Sequence, residues 1–330
     1  MQELLSTNGY LAHPLTRFSV VTVAVALLIT PGITVVLSRM GVMSKKTSDD
    51  VWVRYWTWLV LAPAMLVPLI LCPASAMSAV LIMSLLCYRE YARATGVFRE
   101  RLMSAIVALG IVAICLASLD NWYGLFVALP SVTVTILAAS AVLNDRPSGY
   151  IQRVSLATVG FLLFGVGLGH LSYLANATQF RPLLILIVMS TQASDIVAYC
   201  AGKAFGSRHV FPNTSPNKTL AGHLGSLVIV APLSAWGLRL IVGTDSDMSL
   251  WHLLGFGLVV AAGAQLGDLV LGSIKRDLGI KDMAATLPGH GGILDRFNSI
   301  LLVAPAAFHY LSYYDALEFI ASPRFLGVID

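Results

Sequence analysis

The sequence predicts an all-α fold, a polytopic helical membrane protein of about ten transmembrane helices with a polar site at its cytoplasmic face. Three observations carry this. Hydrophobic residues make up 57% of the 330 and charged residues only 12%, about half the ~25% of a soluble domain. Mean hydropathy is +0.80. Apolar runs of membrane-spanning length recur along most of the chain. A chain with so few charges could not be solvated as a cytosolic enzyme, a disordered polymer or a nucleic-acid-binding module, so those classes are excluded and no nucleic-acid partner is expected.

The first apolar run, Phe18 to Ser38, lacks a convincing small-residue cleavage pattern and reads as a span rather than a removable signal. Its Pro31-Gly32 pair is a tolerated kink. The next stretch, Tyr55 to Tyr88, carries no charge and is too long for one crossing of ~20 residues. Pro73 near its middle predicts two helices turning there. Further spans are expected at Leu102–Leu119, Gly124–Leu143, Val154–Leu174, Pro182–Ala201, Leu224–Val242, Trp251–Leu271 and Phe297–Tyr314.

Loop charges test that count. With the N-terminus outside, 17 of the 21 lysines and arginines fall in the cytoplasmic loops. Only Arg17, Arg181, Arg239 and Arg324 lie on the other side. Such a bias is the positive-inside pattern, and a miscounted span would scramble it. Residues 1–175 read as a scaffold of apolar helices and 176–330 as the part that holds the chemistry, in one continuous membrane domain. The four cysteines, Cys72, Cys87, Cys115 and Cys200, lack paired or metal-type spacing and read as small core hydrophobes.

Two carboxylates lie inside apolar spans. Asp195 is about 9 Å and Asp268 about 5 Å from the cytoplasmic end of its span, at 1.5 Å per residue. Acids inside a membrane cost several kcal/mol and mark ion or substrate sites. After the seventh span, Gly202-Lys203 and then Ser215-Pro216-Asn217-Lys218-Thr219 precede a helix start. Glycine, hydroxyl, ammonium and helix N-terminus together suit phosphate. After the ninth span come Lys275-Arg276, Lys281-Asp282 and Pro288-Gly289-His290-Gly291-Gly292-Ile293-Leu294-Asp295-Arg296. The glycines, Gly291 and Gly292 among them, allow close backbone approach to a ligand. The cations can neutralise several phosphate oxygens. Asp268, Asp295, Asp282 and Asp195 are the candidate ligands for Mg²⁺ or another divalent cation, which is normally held by one or two carboxylates plus substrate phosphates.

That long run closely resembles the signature of phosphatidate cytidylyltransferases, the CDP-diacylglycerol synthases. Asp195-x-x-Ala198-Tyr199 with Gly202-Lys203, Ser215-Pro216-x-Lys218-Thr219 with Gly222, and Gly267-Asp268-Leu269 match in order, and Glu90-Tyr91 also resembles a family position. The resemblance covers about 90–315. It implies transfer of a cytidylyl group from CTP to phosphatidate, giving CDP-diacylglycerol and pyrophosphate, with CTP, phosphatidate and the lipid bilayer as partners and a homodimer as the assembly. A second, monovalent cation beside the divalent one is also an expectation. In those terms the catalytic set is Asp268, Lys275, Arg276, Lys281, Asp282, His290, Asp295 and Arg296. Substrate binding falls to Asp195, Tyr199, Lys203, Ser215, Lys218, Thr219, Gly291 and Gly292. The sequence departs from the family pattern at Leu271 and Gly272, where an acid and a serine are usual. It departs again at Asn298, where the signature ends in aspartate, and at Leu220, Ala221, Ile196 and Val197. A CTP-dependent lipid-alcohol kinase of the polyprenol type, a membrane transporter using Asp195 and Asp268, and a catalytically degraded homologue are the alternatives. A transporter would favour acids near mid-membrane and an inverted repeat, and neither is visible.

Overall fold

The computed structural model describes residues 4–314 apart from Asn8, Tyr10, Asn144 and residues 244–247, together with Ala316 and residues 323–325. Its elements are α1 (Pro14–Arg39), α2 (Lys45–Leu71), α3 (Pro73–Thr95), α4 (Arg101–Leu119), α5 (Tyr123–Val142), α6 (Tyr150–Gly160), a π-helical stretch (Phe161–Gly167), α7 (Leu168–Leu174), α8 (Phe180–Phe205), α9 (Leu220–Val242), α10 (Leu250–Asp277), α11 (Leu294–Phe297) and α12 (Ile300–Tyr313). The expected hairpin at Pro73 is present. Cys72 is extended, Pro73 takes the first helical position, and Ser75 closes the cap by accepting from the Cys72 N–H at 3.0 Å. Proline suits that position because its missing N–H would be unsatisfied there anyway.

The protein is a multi-pass, all-α membrane protein. Among the described residues eight helical segments are long and apolar enough to cross a bilayer: α1, α2, α4, α5, the continuous run Tyr150–Leu174, α8, α9 and α10. The remaining two expected spans are helices outside that set. α3 ends in a polar segment with Arg89, Glu90 and Arg93. α12 has 14 residues, about 21 Å at 1.5 Å per residue and short of the ~30 Å hydrocarbon core. The expected Phe297–Tyr314 span is broken at Asn298 and Ser299, whose side chains turn to carboxylates on neighbouring helices. α1 is the least buried of these candidate spans, and its Phe18, Val21, Val25 and Leu28 are exposed.

Helices α8, α9 and α10 pack as a unit, with α12 against α10 and α7, and with α3 and α4 against the π-helical stretch. Polar side chains between α8 and α9 are satisfied within the bundle: Ser194 pairs with Ser226 at 2.8 Å, and Ser234 donates to Ser190 at 2.9 Å. Such contacts, with small residues that let backbones approach, hold membrane helices together where lipid removes the hydrophobic drive. Three cysteines are buried as expected, but Cys200 is exposed on α8. α9 and α10 approach closely at Gly257, where an added Cβ would stand 1.9 Å from the Ala231 carbonyl oxygen. Gly257→Ala is therefore expected to destabilise the bundle by about 1–3 kcal/mol or more. Thermal unfolding in detergent reads it, and an unchanged melting temperature would contradict this packing.

Candidate active site

A cavity of about 660 Å³ opens where α8, α9, α10 and the α11–α12 junction meet. α8 supplies Asp195, Ala198, Tyr199, Gly202 and Lys203; the loop before α9 supplies Ser215, Asn217, Lys218 and Thr219; α10 supplies Gln265 and Asp268. Asp295, Arg296 and Asn298, from α11 and the residue after it, complete the lining.

The α8–α9 loop is pinched. Val210 donates to the Lys218 carbonyl at 3.2 Å and Leu220 to that of Arg208 at 2.8 Å. Its last residue, Thr219, caps α9 by accepting from the Gly222 N–H at 3.2 Å. Lys218 is thereby fixed beside the first turn of α9, whose free N–H groups and dipole favour an anion.

Each cavity carboxylate has a different environment. Asp268 is ion-paired with Lys218 and accepts from the Asn298 amide at 2.5 Å. Asp195 accepts from the Ser299 hydroxyl at 3.0 and 3.1 Å. Asp295 is buried, at 7% exposure. One of its oxygens takes Lys275 at 2.8 Å and the other takes the N–H groups of Met283 and Gly292, both at 2.9 Å.

The expected residues divide accordingly. Asp195, Tyr199, Lys203, Ser215, Lys218, Thr219, Asp268, Asp295 and Arg296 share the cavity wall. Lys275 reaches it only through Asp295. Arg276 donates to the carbonyls of Thr214 at 3.4 Å and Ile280 at 3.3 Å, fastening loops rather than lining the cavity. Lys281 and Asp282 are exposed outside it. His290 is buried edge-on against Trp58 on α2, with ring centroids 6.0 Å apart. Its Nδ1 lies 3.3 Å from the Pro288 carbonyl. Burial, together with the Arg296 and Arg54 guanidiniums, holds that imidazole below its usual range. Gly291 and Gly292 belong to the same loop behind the cavity; a Cβ on Gly292 would meet a Glu90 carboxylate oxygen at 2.4 Å.

The four candidate cation ligands, Asp268, Asp295, Asp282 and Asp195, do not gather into one cluster. Among the described residues no three His, Cys, Asp or Glu side chains come together closely enough to hold a metal ion. Asp282 does not line the cavity, and Asp295 already accepts from Lys275, Met283 and Gly292. Asp195 and Asp268 remain, and two carboxylates suit a cation whose other ligands come from substrate phosphates and water.

Three residues at or behind the cavity were given no role by the sequence reading. Gln265, a polar residue one turn before Asp268 in an apolar span, could have been found by that criterion. Ser299 directly follows Asn298 and has no periodic signal. Glu90, from the half of the chain read as scaffold, is 5% exposed and accepts from Thr286, Ile293 and Leu294 in the loop that precedes the cavity residues.

A family model described as the cytidylyltransferase family matches residues 52–314. Over 200 residues the chain is 35% identical to the uncharacterized protein YnbB of Escherichia coli K12, covering 58% of this chain and 65% of that relative. It is 35% identical over 159 residues to the phosphatidate cytidylyltransferase of Staphylococcus aureus strain COL, covering 47% of this chain and 59% of the relative. The corresponding Staphylococcus haemolyticus protein is 31% identical over 176 residues, covering 52% and 66%. The matched stretches thus span somewhat under two thirds of each of these curated relatives.

Proposed function

The chain belongs to the cytidylyltransferase family, and from that premise we propose that it transfers the cytidylyl group of CTP to phosphatidate. A phosphate oxygen of phosphatidate attacks the α-phosphorus of CTP, the α–β bridging P–O bond breaks, and pyrophosphate leaves. The nucleophile is already anionic and needs no strong base. The barrier is bringing two polyanions together and stabilising charge on the α-phosphate and the leaving group, which is met by positioning and fixed charge.

The observation that carries this reading is the convergence of Lys218, Arg296 and Lys203 with Asp195 and Asp268 on one cavity, next to the first turn of α9. Lys218, Lys203 and the Thr219-capped turn would hold the triphosphate, with Ser215 beside them. Arg296, from α11, would take phosphate oxygens of the second substrate. Asp195 and Asp268 would hold a Mg²⁺ shared with those phosphates, supplying Lewis-acid neutralisation of their charge. A site reached by one soluble and one lipid substrate belongs at an interface, and the loop charges favour the cytoplasmic one.

Purified protein in detergent, given CTP, Mg²⁺ and phosphatidate, is expected to yield a CDP-lipid and pyrophosphate in equal amounts by mass spectrometry. Release of CDP with a phosphorylated lipid alcohol would instead establish a kinase. Absence of any CTP turnover would leave a binding protein.

A further inference from the structure

We propose that Glu90 is a positioning residue for this site, a latch through which the N-terminal helices set the cavity face that carries Arg296 and Asn298. The proposal rests on the reaction described above. Glu90 stands near the end of α3 and is buried. Its carboxylate accepts from the Thr286 hydroxyl at 2.6 Å, the Ile293 N–H at 3.0 Å and the Leu294 N–H at 2.9 Å. Ile293 and Leu294 open the short helix α11, and Arg296 and Asn298 follow directly.

The loop is pinned twice, in different ways. Asp295 ties it to itself and to the end of α10, through Met283, Gly292 and Lys275. Glu90 ties it across the molecule to α3. Gly292 is clamped between the two carboxylates: its N–H serves Asp295, while a Cβ there would strike Glu90. α2 adds a lighter grip, with the Thr57 hydroxyl donating to the Pro288 carbonyl at 2.9 Å and Trp58 against His290. Downstream, Arg296 Nε donates to the His290 carbonyl at 3.1 Å and Asn298 holds Asp268. Both cavity groups therefore inherit their position from a loop whose buried charged link to the scaffold is Glu90.

The chemistry makes a sharp variant available. A carboxylate accepts all three donors. In Glu90→Gln, one terminal atom becomes an NH₂ and must face the N–H of either Ile293 or Leu294, donor against donor. The Thr286 hydroxyl can turn; a backbone N–H cannot. Lys203 and Thr219 belong to α8 and the cap of α9, and Lys218 meets this loop only indirectly, through Asp268 and Asn298, so nucleotide binding should suffer less than turnover from a shift of Arg296.

Glu90→Gln is expected to lower kcat by about 10- to 100-fold, the usual cost of losing an outer-shell orienting group, with KM for CTP changed by less than about threefold. A mere packing defect would not produce that split. Trypsin supplies a readout without substrate: cleavage after the exposed Lys281 should accelerate in Glu90→Gln, while cleavage after the exposed Lys45 and Lys46 should not. Thr286→Val, which removes one donor and leaves the carboxylate in place, should move kcat and loop cleavage in the same direction by a smaller factor. It decides the matter if Glu90→Gln does not fold. Unchanged kcat and unchanged Lys281 cleavage in a folded variant overturn the proposal, as does a parallel loss of kcat and CTP affinity with the loop still closed. If the parent protein makes no CDP-lipid, the reading of the reaction fails, while the cleavage experiment still judges the latch.

Discussion

Asp268→Asn is expected to lower kcat for CDP-lipid formation by about 100- to 1,000-fold or more, the scale set by removing one preorganised electrostatic group from a transition state. The carboxamide keeps the shape. Its oxygen can still accept from Asn298, so that contact survives. What disappears is the charge that holds Lys218 and that would anchor a cation on substrate phosphate. The fold should tolerate the change. The pair is partly exposed, with side chains at 21% and 30%, and an ion pair of that kind contributes little to stability. Comparable melting in detergent, comparable membrane insertion and a collapse of turnover is the expected combination. A folded Asp268→Asn protein with near-normal kcat would remove Asp268 from the chemistry. If turnover returns at much higher Mg²⁺, the lost group is a cation ligand; if it does not, the lost group is the one that orients Lys218.

How much was legible depends on whether the deciding force is local. The turn at Pro73 is local, since proline at a helix start and an extended residue before it follow from backbone sterics. The placement of Asp195, Lys218 and Asp268 on one cavity was legible because acids inside apolar spans and lysines before a helix start carry information by themselves. Asn298 and Ser299 behave differently. Nothing local breaks a helix there; the break lets their side chains reach Asp268 and Asp195 on other helices. Asp282 and His290 show the converse. Within a signature every polar residue looks chemical, yet Asp282 is exposed and does not line the cavity, and His290 is packed against Trp58. Glu90 was legible only as a residue that resembles a family position, with no role attached. It sits among arginines at a helix end, where an acid usually means a solvated surface, and its burial depends on a loop two hundred positions away.

Lys218→Ala is the second large effect, and it should differ in kind from the first. Asp268→Asn removes negative charge from the cavity, whereas Lys218→Ala removes positive charge and leaves Asp268 facing the triphosphate with only Asn298 on it. Both KM for CTP and kcat should suffer, together costing about 100- to 1,000-fold in kcat/KM, since an ammonium that meets phosphate before and during transfer contributes to both. Lys218→Arg should recover part of this, less than full activity, because a planar fork cannot occupy the place of a compact ammonium beside the carboxylate. The informative variant is the pair. Residues in direct contact are not additive, and here the sign of the coupling follows from the charges. In Lys218→Ala the unpaired Asp268 repels the incoming triphosphate; changing it to asparagine removes the repulsion. The double variant should therefore bind CTP better than Lys218→Ala alone, while its kcat stays as low as that of Asp268→Asn. Strict additivity in KM would mean that the two side chains meet in the ligand-free protein but part company once nucleotide binds, and Lys218 would then have to be placed on a phosphate remote from Asp268.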